Sequence, residues 1–164
     1  MNRLAWLVCI LALACSTARA ELAGVMHWAT GQNLEMTYNN VYKSLESNSF
    51  YVVFEPNIGN NLAGFAERWG EDYNRSQLGG IRAMVFCNAW YTNQISNLEP
   101  RLLATCPLHL TLYREGDETH VVFLRPTVAG AGSKAGALLQ ELETEVSTAV
   151  EQGLAAGRAP GSSD

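Results

Sequence analysis

Two cysteines are the residues of this chain whose type and spacing most directly suggest chemistry. The sequence contains four cysteines, and the first two, Cys9 and Cys15, lie in an N-terminal segment that is expected to be removed. Cys87 ends a predicted strand, and Cys106 comes just before the next strand begins. If those strands are neighbours, the two thiols meet. In an oxidising compartment such a pair forms a disulfide, and closing a loop of about 20 residues stabilises a fold by roughly 3 kcal/mol in the chain-entropy model.

Two alternatives to a structural disulfide remain open for this pair. Cys87 and Cys106 can instead be two buried free thiols, or a redox-active pair. The redox interpretation is the least favoured, because the Cys-x-x-Cys spacing is absent and no basic residue flanks either thiol to lower its pKa. The sequence therefore favours a structural bridge.

A polar residue and two aromatic residues directly follow the first of these cysteines. Asn88, Trp90 and Tyr91 stand where a strand ends, and strand ends often line a pocket or a partner surface. The alternative is that the rings cap the core and cover the cysteine pair. These three residues are the predicted ligand-binding or partner-binding positions.

The histidines invite a metal hypothesis, which the spacing does not support. His109 and His120 fall on the same face of a predicted hairpin, opposite Leu124 and Tyr113 respectively. They are about 13 Å apart at a rise of roughly 3.3 Å per residue, so one metal ion cannot contact both. His27 comes from an unplaced strand. We therefore predict partly exposed polar side chains, no metal site and no cofactor.

The carboxylates give no catalytic pattern. A first group lies on or just after a predicted helix and a second group lies on the last helix, and both are interpreted as solvated helix faces. No Gly-x-Ser-x-Gly motif is present, and no catalytic residue is predicted. The two groups are Glu67, Glu71 and Asp72, and Glu141, Glu143 and Glu145.

These residues must be positioned by a mixture of helices and strands. A strand is predicted within 24–30, and a helix follows with Thr37 as its N-cap and its end near Asn48. The aromatic and β-branched run 50–54 predicts the next strand. Asn60 or Asn61 is then expected to cap a second helix, the clearest amphipathic pattern of the chain. Its buried stripe is predicted to comprise Leu62, Phe65, Ala66 and Trp69.

The second half of the chain carries the clearest signals. A strand is predicted over 81–87, followed by two helical pieces in 88–105, with Pro100 in the first turn of the second piece. Strands 108–114 and 118–124 form a hairpin around Gly116 and Asp117. The pairing places Leu112 opposite Val121 and Leu110 opposite Phe123 on one face. The last helix buries a stripe that comprises Leu138, Leu139, Leu142, Val146, Ala149 and Val150.

This order of elements predicts the α+β class: a single domain over 21–154, with an antiparallel-containing sheet and helices packed on one face. The segment 155–164 is rich in Ala, Gly, Pro and Ser and is interpreted as a disordered tail.

The first twenty residues predict export. A basic start, the eleven apolar residues Leu4 to Ala14 and a small-x-small ending at Ala20 are typical of a Sec-type signal peptide, cleaved after Ala20. Cleavage leaves no membrane anchor. The loss of Arg3 and Arg19 from the 11 basic residues leaves 9 against 16 acidic ones, a net charge of −7. Such acidity argues against nucleic acid as a partner. The predicted location is the periplasm.

The segment 80–127 resembles a known bacterial family. It contains Gly-Ile-Arg-Ala-Met-Val-Phe-Cys-Asn-Ala-Trp, then Cys-Pro-Leu-His-Leu-Thr-Leu-Tyr and His-Val-Val-Phe-Leu-Arg-Pro-Thr. This is similar to the family called domain of unknown function 302, over roughly 25–128. Cys87-Asn88-Ala89 stands where that family has Gly-Asn-Pro, and Cys106-Pro107 stands where it has Leu-Pro. The resemblance implies a compact α+β domain, often a dimer, and implies no reaction.

Two functional hypotheses follow from the sequence. The favoured one is a non-catalytic periplasmic domain that binds a small ligand or a protein partner through Asn88, Trp90 and Tyr91. The alternative is a thiol-dependent redox enzyme that uses Cys87 and Cys106. The redox state of the two thiols separates the hypotheses.

Overall fold

A computed structural model describes residues 22–157. Residues 1–21, which include the predicted signal peptide, and residues 158–164, which make up most of the predicted disordered tail, lie outside the described part. The strands are β1 Val25–Thr30, β2 Tyr51–Phe54, β3 Ile81–Cys87, β4 Leu108–Glu115 and β5 Glu118–Leu124. The α-helices are α1 Leu34–Ser47, α2 Ile58–Ala63, α3 Ala66–Trp69, α4 Ala89–Leu98, α5 Pro126–Ala129 and α6 Gly136–Ala156. Short 3-10 turns at Gly70–Asp72 and Pro100–Thr105 complete the order.

The five strands form one fully antiparallel sheet in the order β1-β5-β4-β3-β2. The long helices α1 and α6 pack against each other and bury their apolar stripes against one sheet face. Alternate residues of the central strands supply the sheet side of this core, because successive side chains of a strand point to opposite faces. The predicted class, α+β with helices packed on one face in a single domain, is confirmed.

The central hairpin has the predicted register. Leu112 lies opposite Val121 and Leu110 opposite Phe123, and all four side chains are buried. Gly116 turns the chain at φ 56°, in the left-handed region that glycine adopts without steric cost. The bounds of β3 and the two helical pieces that follow it also agree with the prediction.

The predicted second helix is wrong in both extent and burial. Two short helices replace it, and the first is capped by the Asn57 side chain and ends at Ala63. Phe65 and Trp69 stack on each other with centroids 5.0 Å apart, and they are 45% and 41% exposed. Gly64 and Phe65 form a turn between the two helices, with Phe65 at φ −109° and ψ 2°, and the apolar spacing ends on the surface instead of in the core. The assignment of Trp69 to the core stripe is therefore wrong.

The first helix begins earlier than predicted. Asn33 is its N-cap, and its side chain accepts a hydrogen bond from the backbone N–H of Met36 at 2.8 Å. Thr37, the predicted cap, is fully buried inside the helix and donates its hydroxyl to the Asn33 carbonyl oxygen. Both residue types are good N-caps, so the pattern alone did not separate them. At the other end of the chain, α6 continues to Ala156, two residues into the predicted tail.

Glu143 is the one predicted solvated carboxylate of α6 that is buried, with 3% exposure. It accepts hydrogen bonds from the backbone N–H of Thr127 at 2.9 Å and from the Thr127 hydroxyl, and Arg125 Nη1 lies 3.8 Å from its second oxygen. The side chain therefore ties the last helix to the first turn of α5.

Replacement of Glu143 is expected to weaken the fold. Because Glu143→Ala strands a buried N–H and hydroxyl at Thr127, it should lower the free energy of unfolding by about 2 kcal/mol in urea titration. The control Gln140→Ala removes an exposed side chain of the same helix and should change stability by less than about 0.5 kcal/mol. Equal midpoints for the two variants would show that the Thr127 contacts contribute nothing.

Candidate functional site

The end of β3 brings together the predicted site residues and two other elements. β2 pairs with β3 so that Tyr51 lies opposite Cys87. The chain then turns at Asn88 into α4, and the N-terminal half of α6 lies beside that turn. The site is therefore built from one strand edge, one helix start and one helix side.

Asn88 has a clear local role as the N-cap of α4. Its Oδ1 accepts hydrogen bonds from the backbone N–H groups of Trp90 at 3.0 Å and Tyr91 at 3.2 Å. This cap satisfies two of the helix's unpaired N-terminal donors. It also fixes the direction in which the two aromatic side chains leave the backbone.

Loss of this cap is expected to destabilise α4. Asn88→Ala should lower the free energy of unfolding by about 1 kcal/mol, because the donors of Trp90 and Tyr91 lose their acceptor. Asn88→Asp keeps a cap oxygen and is the matched control. Chemical denaturation followed by circular dichroism measures the difference, and an alanine variant as stable as the aspartate variant would contradict the capping role.

An open cleft of about 530 Å³ lies at this end of the sheet, a volume within the range of small-molecule pockets. Trp90 and Tyr51 are 54% and 56% exposed at the cleft, whereas Tyr91 is buried against Phe50 and Trp90. The structure thus brings the three predicted residues to one cleft. Its lining residues are Asn48, Ser49, Tyr51, Asn88, Ala89, Trp90, Tyr91, Glu141 and Glu145.

Two carboxylates make this cleft acidic. The Tyr91 hydroxyl donates to Glu141 Oε1 at 3.1 Å, and Glu145 lies one helical turn further along α6. Burial first, and then hydrogen bonds to Glu145 and Glu141, raise the pKa of the Tyr91 phenol well above its usual value, so it remains a donor. Among the ion pairs of residues 22–157, none involves Glu141 or Glu145.

The two carboxylates and Tyr51 were missed as site residues. Both glutamates are exposed, as predicted, but they line the cleft. Their i, i+4 spacing placed them on one helix face. Nothing in the sequence indicated that this face would lie beside Tyr91, which is 50 residues earlier in the chain.

The cysteine pair lies next to the cleft. The two sulfurs are 3.5 Å apart, and the Thr92 hydroxyl oxygen lies 3.2 Å from Cys87 and 2.9 Å from Cys106. Neighbouring β3 and β4 bring them together, as the disulfide hypothesis requires. Asn88 and Tyr91 line both the cleft and a small cavity beside Cys106.

The thiol environment does not favour nucleophilic chemistry. Burial raises the pKa of the Cys106 thiol, and the other groups that act on it are Thr92 and Cys87. None of these is a cation that would stabilise a thiolate. Reactive thiols are instead often found beside basic groups, which lower the pKa, and no basic group acts on Cys106.

The histidines are arranged differently from the prediction. His120 lies opposite Tyr113 as predicted, but it is buried, with 5% exposure, instead of partly exposed. His27 comes from the adjacent strand β1, and its Nε2 lies 2.9 Å from His120 Nδ1. The buried position follows from stacking of the imidazole between the rings of His27 and Tyr113, with centroids 5.1 Å and 4.9 Å away. His109, paired with Val85, is exposed.

The described part of the chain shows two further features that bear on function. Within residues 22–157, no set of three or more His, Cys, Asp or Glu side chains is arranged to hold a metal ion. Over the same residues, none of the helices combines the length and the apolar character that a bilayer crossing requires.

Fold and site together define a single α+β domain with an acidic, aromatic cleft at one end of an antiparallel sheet. The chain belongs to the family described as domain of unknown function DUF302, whose model matches residues 26–154. The crystal structure of an uncharacterized conserved DUF302 protein from Bacillus stearothermophilus is similar, with a TM-score of 0.69 at 15% identity. The match covers 80% of this chain and 98% of that chain. No curated protein matches the sequence.

Proposed function

We propose that this protein is an exported, periplasmic, non-catalytic domain that binds a small ligand in the cleft beside Trp90. The observation that carries the proposal is the cleft itself, which has an open volume of about 530 Å³. Two half-exposed rings, those of Trp90 and Tyr51, line it. Large aromatic side chains supply contact area at low entropic cost, and pockets are lined preferentially by them. The signal-peptide pattern of residues 1–20 supports the export part of the proposal.

The alternative function, thiol-dependent redox catalysis, is favoured by one observation, the 3.5 Å separation of the two sulfurs. The raised pKa of Cys106 weighs against it, because the thiolate is the nucleophile in such chemistry. A thiol pair that cycles readily with mild reductant would support the enzyme. A pair that stays bridged would leave ligand binding as the function.

Ligand binding can be tested on the exported protein by nitrogen-15 NMR. A fragment set of cationic, neutral and anionic compounds is added at millimolar concentration, and the indole N–H of Trp90 is followed. We expect at least one compound to shift this signal together with the backbone signals of Tyr51 and Glu145. The signals identify the cleft because these residues come from three different elements.

A matched pair of variants gives the control. Trp90→Ala should weaken binding of any such compound at least tenfold, because it removes the largest exposed ring of the cleft. Trp69→Ala removes another exposed indole that does not line the cleft, and it should leave binding unchanged. A fragment set that shifts no cleft signal, or equal affinity in both variants, would overturn the proposal.

A further inference from the structure

We infer that the cleft selects a small organic cation, an alkylammonium compound, as its ligand. This inference rests on the proposed function and names the chemical class that the same site takes. It is carried by the combination of exposed aromatic rings and uncompensated carboxylates within one cleft.

The two exposed aromatic rings of the cleft can attract a cation. Trp90 packs edge-to-face on buried Tyr91 with centroids 4.8 Å apart and an interplanar angle of 85°, so a buried neighbour holds the exposed indole in place. Tyr51 supplies a second exposed ring from the edge strand. The negative face of an aromatic ring attracts a cation, and tryptophan is the strongest of the three aromatic side chains in this respect. Quaternary ammonium groups are recognised in proteins by such rings.

The two carboxylates of the cleft also favour a cation. Glu141 and Glu145 lie four residues apart on α6, a spacing at which like charges repel. Neither forms an ion pair within residues 22–157, and the lining residues of the cleft include no Lys, Arg or His. The Tyr91 hydroxyl donates to one of them and holds it at the cleft wall. A cation placed there would compensate two charges that the protein leaves uncompensated.

The same charges favour a cation over anionic and neutral ligands. An anion would meet both carboxylates and no basic partner, so it would be repelled. A neutral ligand of the same shape would contact the rings but gain nothing from the charges. Without residues 1–20 the chain carries a net charge of −7, so its overall field also attracts cations toward the cleft.

The test compares cations with neutral compounds of the same shape. Choline is paired with 3,3-dimethylbutan-1-ol, in which carbon replaces the nitrogen, and putrescine is paired with butane-1,4-diol. Each is titrated into the exported protein, and binding is followed by the NMR signals of Trp90 and Tyr51. We expect at least one cation to bind at least tenfold more tightly than its neutral counterpart, and its affinity to fall as sodium chloride is raised.

Two variants show whether the charges are responsible. Glu145→Gln should reduce the affinity for the cation at least threefold and leave the neutral compound unchanged. Glu151→Gln removes the same charge from the same helix outside the cleft and should have a much smaller effect. Because both residues are exposed, neither variant is expected to unfold the protein.

The possible failures are distinguishable. If neutral compounds shift the cleft signals as strongly as the cations, the cation class is wrong and the ligand-binding function stands. If only anionic compounds bind in the cleft, the same conclusion holds. If no compound of either pair and no fragment of the wider set reaches the cleft, both the cation class and the proposed function are wrong.

Discussion

Gly153→Ala is expected to lower the free energy of unfolding by about 3 kcal/mol, although alanine is the better helix former by about 1 kcal/mol. A Cβ at this position would lie 2.7 Å from Val41 Cα and 3.0 Å from the Asn40 carbonyl oxygen. Both are backbone atoms of α1, so no side-chain rotation relieves the overlap. The two helices that cover the sheet would have to separate, and their shared apolar interface would loosen.

Gly136 provides the matched control at the start of the same helix. A Cβ built there meets no atom within 4 Å. Gly136→Ala should therefore be neutral or stabilise the protein by up to about 1 kcal/mol through a smaller loss of chain entropy on folding. Urea titration of both variants gives the comparison. Equal stabilities would mean that α1 and α6 do not approach each other as closely as the structure indicates.

The parts of the fold that could be predicted are those fixed by local pattern. The hairpin around Gly116 combines two alternating apolar runs with a glycine turn, and its register follows from the period of two. The stripe of α6 follows from the helical period in the same way. The prediction from the second amphipathic pattern failed because periodicity identifies an apolar face without showing that another element covers it. Phe65 and Trp69 remain 45% and 41% exposed.

Strand order could not be predicted, and it decides which histidines lie next to each other. The contact between His27 and His120 joins residues 93 positions apart and requires β1 to lie beside β5. The spacing argument used only the hairpin, so it compared His120 with the wrong histidine. Local pattern contains no information on which strands become neighbours across such a distance.

Only part of the candidate site could be predicted, because the rest depends on which elements become neighbours. Asn88, Trp90 and Tyr91 follow a strand end directly, so their position could be inferred from the chain. Tyr51 reaches them only because β2 pairs with β3, and Glu141 only because α6 packs beside α4. Glu141, together with Glu145, determines the charge of the cleft, on which the proposed ligand class rests.

The exported protein is expected to contain a Cys87–Cys106 disulfide. The two sulfurs are 3.5 Å apart, with Cys87 at the end of β3 and Cys106 two residues before β4. In the oxidising compartment that the proposed export implies, an oxidant takes two electrons and two protons from the thiols as the S–S bond forms. Reduction should lower the free energy of unfolding by roughly 3 kcal/mol, because the unfolded chain regains the freedom of a loop of about 20 residues. Urea titration with and without dithiothreitol measures this difference.

The double variant Cys87→Ser/Cys106→Ser separates the bridge from other effects of the reductant, because its stability should not respond to dithiothreitol. Thiol titration of the unreduced, denatured wild-type protein should detect no free thiol. Two free thiols, with unchanged stability on reduction, would show that the pair is unbridged.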